Sequence, residues 1–168
     1  SVFFGTASYV AAITLLHVST NEVAALIGVV IFSVMLAFLL GALILKRRGL
    51  YFSLLTLACS QIAFEIAFRW TSVTGGENGL QNVPRPLFPS RESFNVFAVL
   101  TIVAAVFLMW RLVHSSFGRA MQAMRDNEQR MLSLGFNPYR LKLIAFIFSG
   151  AFIGYAGGLL ALLLQGAY

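Results

Sequence analysis

VAALIGVVIFSVMLAFLLGALIL (23–45) decides the fold. It contains no charged residue and runs directly into Lys46-Arg47-Arg48. At about 1.5 Å per residue it makes a helix of roughly 34 Å, enough to cross a hydrocarbon core of about 30 Å with a tilt. Gly28 and Gly41 permit close helix approach, although they do not stand at G-x-x-x-G spacing.

The rest of the chain has the same character. Its 168 residues are 59% hydrophobic and 11% charged, with mean hydropathy +0.84, whereas a soluble domain is about half apolar and a quarter charged. One small core cannot hide that much apolar surface, so the bilayer is the natural solvent. The +6 net charge does not point to nucleic acid. That function needs a basic patch on a solvated domain with stacking aromatics, and here Lys and Arg stand mostly at the ends of apolar segments. Cys59 is alone in an apolar run, which excludes a disulfide or thiolate cluster within the chain. Ser1 leads at once into apolar sequence with no basic n-region, so the start is not read as a signal peptide, and an upstream part is expected.

Working outward, Val2–Leu16 is apolar but interrupted by Gly5, Thr6, Ser8 and Tyr9, and is short against the about 20 residues of a span. A polar turn follows at 17–22, where Thr20 or Asn21 is placed to cap the long segment. Leu50–Trp70 carries two polar strips at helical spacing: Ser53, Thr56 and Ser60 on one arc, and Gln61 with Glu65 about 120° round. Polar groups inside a membrane face protein or water, so these positions are candidates for lining a pathway, while helix packing serves the hydroxyls equally well. Glu65 can also snorkel to the interface and pair with Arg69, four residues on. The outer loop, about 71–93, holds Thr74-Gly75-Gly76-Glu77-Asn78-Gly79 and then Pro84, Pro86 and Pro89, which exclude regular structure. Phe94–Trp110 and Leu141–Leu164 are further apolar segments, with Trp110 an interface anchor and Gly150-x-x-x-Gly154 a flat helix face. The expected fold is all-α: one polytopic transmembrane helical bundle over 1–168, with about five membrane segments.

Charge sets the orientation. Lys46, Arg47, Arg48, Arg111, Arg119, Arg125, Arg130, Arg140 and Lys142 fall on one side, and only Arg69, Arg85 and Arg91 on the other. The positive-inside rule puts the first group in the cytoplasm. The charged stretch SSFGRAMQAMRDNEQRMLSLGFNP (115–138) is therefore a cytoplasmic loop, about 115–140, between two membrane segments. As a helix it gathers Phe117, Met121, Met124 and Leu132 on one face, with Met131 at its edge, and Arg119, Asp126 and Arg130 on the other. Asp126–Arg130 and Arg125–Glu128 are suitable pairs, Gly118 opens the helix, and Gly135 stops it before Asn137-Pro138. Glu128 interrupts the apolar face. A lipid-surface helix would keep that face clean, while a solvated connector stays open as the plainer reading. A helix in a partner's groove can carry a central charge, and methionines suit such a contact.

FGRAMQAMRDNEQRMLSLGFNPYRLKLIAFIFSGAFIGYAGGLLA (117–161) closely resembles the cytoplasmic loop and following helix of LivM-type permeases, the branched-chain amino acid family of ABC importers. Arg48, Gly49, Tyr51, Phe52, Thr56, Leu57 and Ala58 resemble that family's R-G-x-Y-F-x-x-x-T-L-A segment. Thr74, Gly75, Gly76, Gly79, Leu80, Pro84, Arg85 and Pro86 resemble its T-G-G-x-x-G-L…P-R-P outer loop, and Phe3, Phe4, Gly5 and Tyr9 the tail of its N-terminal motif. The four motifs stand in the family's order over nearly the whole chain. The chain begins inside the first and ends soon after Leu164, where the family continues, so it reads as an internal fragment truncated at both ends.

The resemblance implies a permease in a bacterial inner membrane, working with a second permease, two cytoplasmic ATPases and a periplasmic binding protein. It implies that 115–140 docks on an ATPase, with Gly118, Arg119, Ala120, Arg125, Asp126, Asn127, Glu128 and Gly135 as coupling positions. Gly5 and Tyr9 join the polar strips as pathway candidates. ATP belongs to the partners, since no Walker A pattern occurs in this chain; the chain itself needs no cofactor or metal. Urea permeases share the loop pattern, and the outer loop favours the amino-acid branch. An ATP-independent channel or carrier, its loop a connector, is the other transport reading. An intramembrane enzyme is disfavoured, because His17 and His114 fall on opposite sides and no nucleophile–base pair is evident.

Overall fold

A lipid-embedded backbone must satisfy its own N–H and C=O groups, and each apolar run accordingly becomes a helix. The computed structural model describes residues 2–17, 21–45, 50–69, 80–81, 91–164 and 166–167. In chain order the elements are α1 (Val2–His17), α2 (Glu22–Ile44), α3 (Leu50–Arg69), β1 (Leu80–Gln81), α4 (Arg91–Val113), α5 (Ser116–Asp126), α6 (Glu128–Ser133), α7 (Pro138–Leu164) and β2 (Gly166–Ala167). Among the described residues the all-α expectation holds apart from one two-residue antiparallel ladder, with Leu80 opposite Ala167 and Gln81 opposite Gly166. Lys46–Arg48, Thr74, Gly75, Gly76, Gly79, Pro84, Arg85 and Pro86 lie outside the described residues.

Among the described residues three helices, α2, α4 and α7, are long and apolar enough to cross a membrane, and shorter apolar stretches lie in α1 (Phe3–Leu16) and α3 (Ser53–Ile66). Asn21 caps α2, its side chain accepting from Val23 N at 3.2 Å. Two helix starts next to loops differ from the sequence reading. α4 begins at Arg91, inside the range given to the outer loop. α7 begins at Pro138, because Asn137 Oδ1 accepts from Tyr139 N (3.1 Å) and Arg140 N (3.3 Å) with proline in the first helical position.

The core is a seam between antiparallel α2 and α7. Gly41 faces Leu143 and Phe146, Gly150 faces Ala37, Gly154 faces Ser33, and Gly158 faces Val29 and Leu26. Both helices step by four residues along this seam, and at Gly150 and Gly154 only the small side chains of Ala37 and Ser33 stand between the backbones. A Cβ on Gly150 would sit 2.6 Å from that of Ala37, and one on Gly154 would overlap Ser33. The G-x-x-x-G read at Gly150–Gly154 thus extends to Gly158, and it meets a row of small residues on α2 that the sequence reading had not joined to it.

α1 runs beside α7 in the same direction. Phe3 meets Phe146 edge-on at 5.6 Å, and Gly157 lies against the Phe4 carbonyl. Near the other end Ala12, Leu15, Ala25, Leu26, Leu159 and Leu162 bury together with Phe94 and Ala98 of α4. Past those two residues most of α4 from Val99 to Val113 is exposed, with Thr101, Ala105 and Leu112 half-buried, as suits a helix covered by lipid or another chain. Tyr139 Oη donates to the Ala42 carbonyl at 3.2 Å, which fixes the last turn of α2 and the first turn of α7 at one end of the bundle.

Candidate functional site: the knee between α4 and α7

The charged stretch folds as two short helices, not one. α4 ends by turning sharply: Ser115 Oγ donates to the Leu112 carbonyl at 2.6 Å and accepts from Gly118 N at 3.4 Å as the N-cap of α5. The helix therefore opens at Ser116, two residues before Gly118. Gly118 has another task, since a Cβ there would overlap the Val113 carbonyl and only glycine lets α5 fold back so closely. Arg119 donates from a terminal guanidinium nitrogen to the His114 carbonyl at 3.3 Å, placing a cation at the negative end of α4.

α5 stops at Asn127, whose backbone is extended (φ −157°, ψ 99°). Its N–H still reaches the Ala123 carbonyl at 3.1 Å, while its Oδ1 accepts from Arg130 N at 3.0 Å and starts α6. One asparagine thus ends one helix and caps the next, by offering the backbone a partner outside the helical ladder. The break removes the i,i+4 relation of Asp126 and Arg130, and they form no ion pair among the described residues. Glu128, for which the sequence suggested Arg125, bonds to Lys142 Nζ of α7 at 3.0 Å. Gly135 has φ +82°. Around it Gly135 N reaches the Leu132 carbonyl (3.0 Å) and Phe136 N the Met131 carbonyl (3.1 Å), a Schellman stop as the sequence indicated.

The methionine face turns inward. Met124 and Met131 are 6% and 5% exposed, Phe117 meets Phe148 of α7 at 6.1 Å, and both short helices rest on α7. The expectation that this face meets a partner is corrected: most of it packs on the chain's own bundle. What stays outward is Arg119, Arg125, Asp126 and Arg130 with a tip of Leu132, Leu134 and Phe136, Leu134 being 67% exposed. Ala120 is half-buried.

The pathway candidates are less concentrated. Tyr9 packs half-buried on the cluster around Leu15 and Leu162. Gly5 accepts from Ser8 Oγ at 2.8 Å, and a Cβ there would meet nothing within 4 Å. On α3, Ser53, Gln61 and Glu65 are exposed and Thr56 and Ser60 half-buried, with Glu65 bonded to Arg69 at 2.5 Å as anticipated. The buried clusters do not join these α3 positions to Tyr9 among the described residues. Sequence reasoning missed the caps at Ser115 and Asn127 and the partner role of Lys142. The signal was an acid on an apolar face, which needs a cation on whatever that face packs against.

The whole chain, residues 1–168, matches the family model for the branched-chain amino acid transport system permease component. Over 152 aligned positions it is 36% identical to the high-affinity branched-chain amino acid transport system permease protein LivM of Escherichia coli, covering 74% of this chain and 36% of that protein. A probable branched-chain amino acid transport permease protein LivM of Methanocaldococcus jannaschii is 30% identical over 81% of this chain and 43% of its own length. The autoinducer 2 import system permease protein LsrC of Salmonella paratyphi B is 30% identical over 55% of this chain and 27% of its own. The chain thus spans little more than a third of the length of the LivM relatives. No solved structure matches it. With its membrane-length helices and these relatives, the chain belongs to the family of branched-chain amino acid transport permeases, as a LivM-type membrane protein.

Proposed function

We propose that this chain forms part of the translocation pathway of an ATP-driven importer for branched-chain amino acids in a bacterial inner membrane. In this reading it works beside a second permease and receives substrate from a periplasmic binding protein, and its α5–α6 knee docks on a cytoplasmic ATPase. The observation that carries the reading is the outward side of the knee. It holds three exposed arginines and an apolar tip of Leu132, Leu134 and Phe136, on a short helical segment between two membrane-length helices. Apolar side chains in water, ringed by charge, are what a groove with acidic rims would cover. The LivM relatives support branched-chain amino acids as the substrate.

The test is purification of the assembled transporter from its native membrane. ATPase subunits co-purify, uptake stops on ATP depletion, and Phe136→Asp lowers ATPase retention about tenfold, the effect of losing one well-buried anchor. Uptake that persists without ATP and without a bound ATPase identifies a channel or carrier. Uptake of urea in place of leucine, isoleucine or valine moves the substrate to the amide branch.

A further inference from the structure

We infer that the Glu128–Lys142 ion pair is an internal strut that passes displacement of the knee into α7, so that Glu128 acts on its own chain and not on the ATPase. The inference rests on the docking reading above and concerns what lies behind the docked surface.

Four observations carry it. Among the described residues the Glu65–Arg69 pair stays within α3, whereas Glu128–Lys142 joins two elements across fourteen positions. The two side chains are 31% and 35% exposed, so salt screens them less than a free surface pair. α6 is six residues long and bounded at both ends, by the Asn127 cap and the Gly135 turn, so its side chains hold a fixed spacing along one short helix. Met131 buries its side chain while Glu128 supplies a charge contact, so both apolar and ionic contacts hold α6 to the rest of the chain.

The far end of the strut is equally telling. Lys142 lies near the N-terminus of α7, where the helix dipole gives a cation no advantage. α7 is the helix on which the others depend: the glycine seam holds it to α2, Phe3 and Phe4 hold it to α1, and Tyr139 ties its first turn to Ala42. A push on α6 that reaches Lys142 therefore reaches the end of the helix that contacts both neighbours. The chemistry needed is only opposite charge at fixed distance, which makes the pair exchangeable.

The experiment uses the assembled transporter reconstituted in vesicles, with two readouts: ATPase subunits retained, and substrate taken up per ATP hydrolysed. Glu128→Gln and Lys142→Gln are each expected to retain the ATPase and to lower uptake per ATP by about fivefold or more, within the usual range of coupling free energies. The reversed pair, Glu128→Lys with Lys142→Glu, is expected to recover most of that loss, which a variant that merely folds poorly would not do. Normal coupling in both single variants overturns the strut, as does a reversed pair no better than the singles. Loss of ATPase retention in Glu128→Gln but not in Lys142→Gln overturns it too, by putting Glu128 in the docking contact. If the unmodified transporter retains no ATPase, the docking reading falls first and takes the strut with it.

Discussion

Individual residues here are explained by what their backbones require. Gly135 is the clearest, with φ +82° and a Schellman turn around it. Gly135→Ala forces a Cβ into the left-handed region and costs about 1–2 kcal/mol. Gly5→Ala, at a helical position with open space around it, is neutral or gains up to about 1 kcal/mol. Thermal unfolding of the detergent-purified transporter separates the two, and equal midpoints would refute the assignment. Gly135 was legible in the sequence because glycine before Asn-Pro has few other uses. Gly118 was not: its task depends on the Val113 carbonyl, whose position is set by how sharply α4 ends.

Among the elements, the α2–α7 seam governs stability, and it works by absence of bulk. Ser33 is 1% exposed and its Oγ has no hydrogen-bond partner among the described residues. Removing an unpaired buried hydroxyl relieves desolvation, so Ser33→Ala leaves stability unchanged or raises it by about 1 kcal/mol. Gly154→Ala inserts a methyl into the Ser33 side chain and destabilises by about 1–3 kcal/mol, as overpacking does. Ser33→Gly in the Gly154→Ala background frees that space, and unfolding in detergent should show recovery of at least half the loss. Additive behaviour of the two changes would exclude the contact. The glycines of α7 announced a flat face, but nothing in their spacing named α2 as the helix that meets it. The break at Asn127 was hidden for a similar reason. A helical wheel assumes one continuous helix, and asparagine is tolerated inside helices as well as at their caps.

For the whole molecule, the ordering of ends is the strongest statement. The Tyr139–Ala42 bond and the antiparallel seam put the end of α2, the knee and the start of α7 together. By the positive-inside rule the distribution of Lys and Arg predicts that this end faces the cytoplasm. Gln129 and Asn95 are both exposed, on α6 and near the start of α4 respectively. With Cys59 replaced, a membrane-impermeant maleimide should label Gln129→Cys only in inverted vesicles and Asn95→Cys only in right-side-out ones. The opposite pattern would invert the orientation and remove the knee from any cytoplasmic partner.

By itself the sequence determined the solvent and the long helices, since both follow from local quantities, apolar length and the placement of polar breaks. It also carried the family, because four motifs stand in order along one chain. The tertiary structure alone decided which faces meet. It buried Met124 and Met131 within the chain, left Leu132, Leu134 and Phe136 outward, and gave Glu128 to Lys142. The physical reason is that helical periodicity fixes which side chains share a face, while the neighbour that face finds depends on contacts far along the chain.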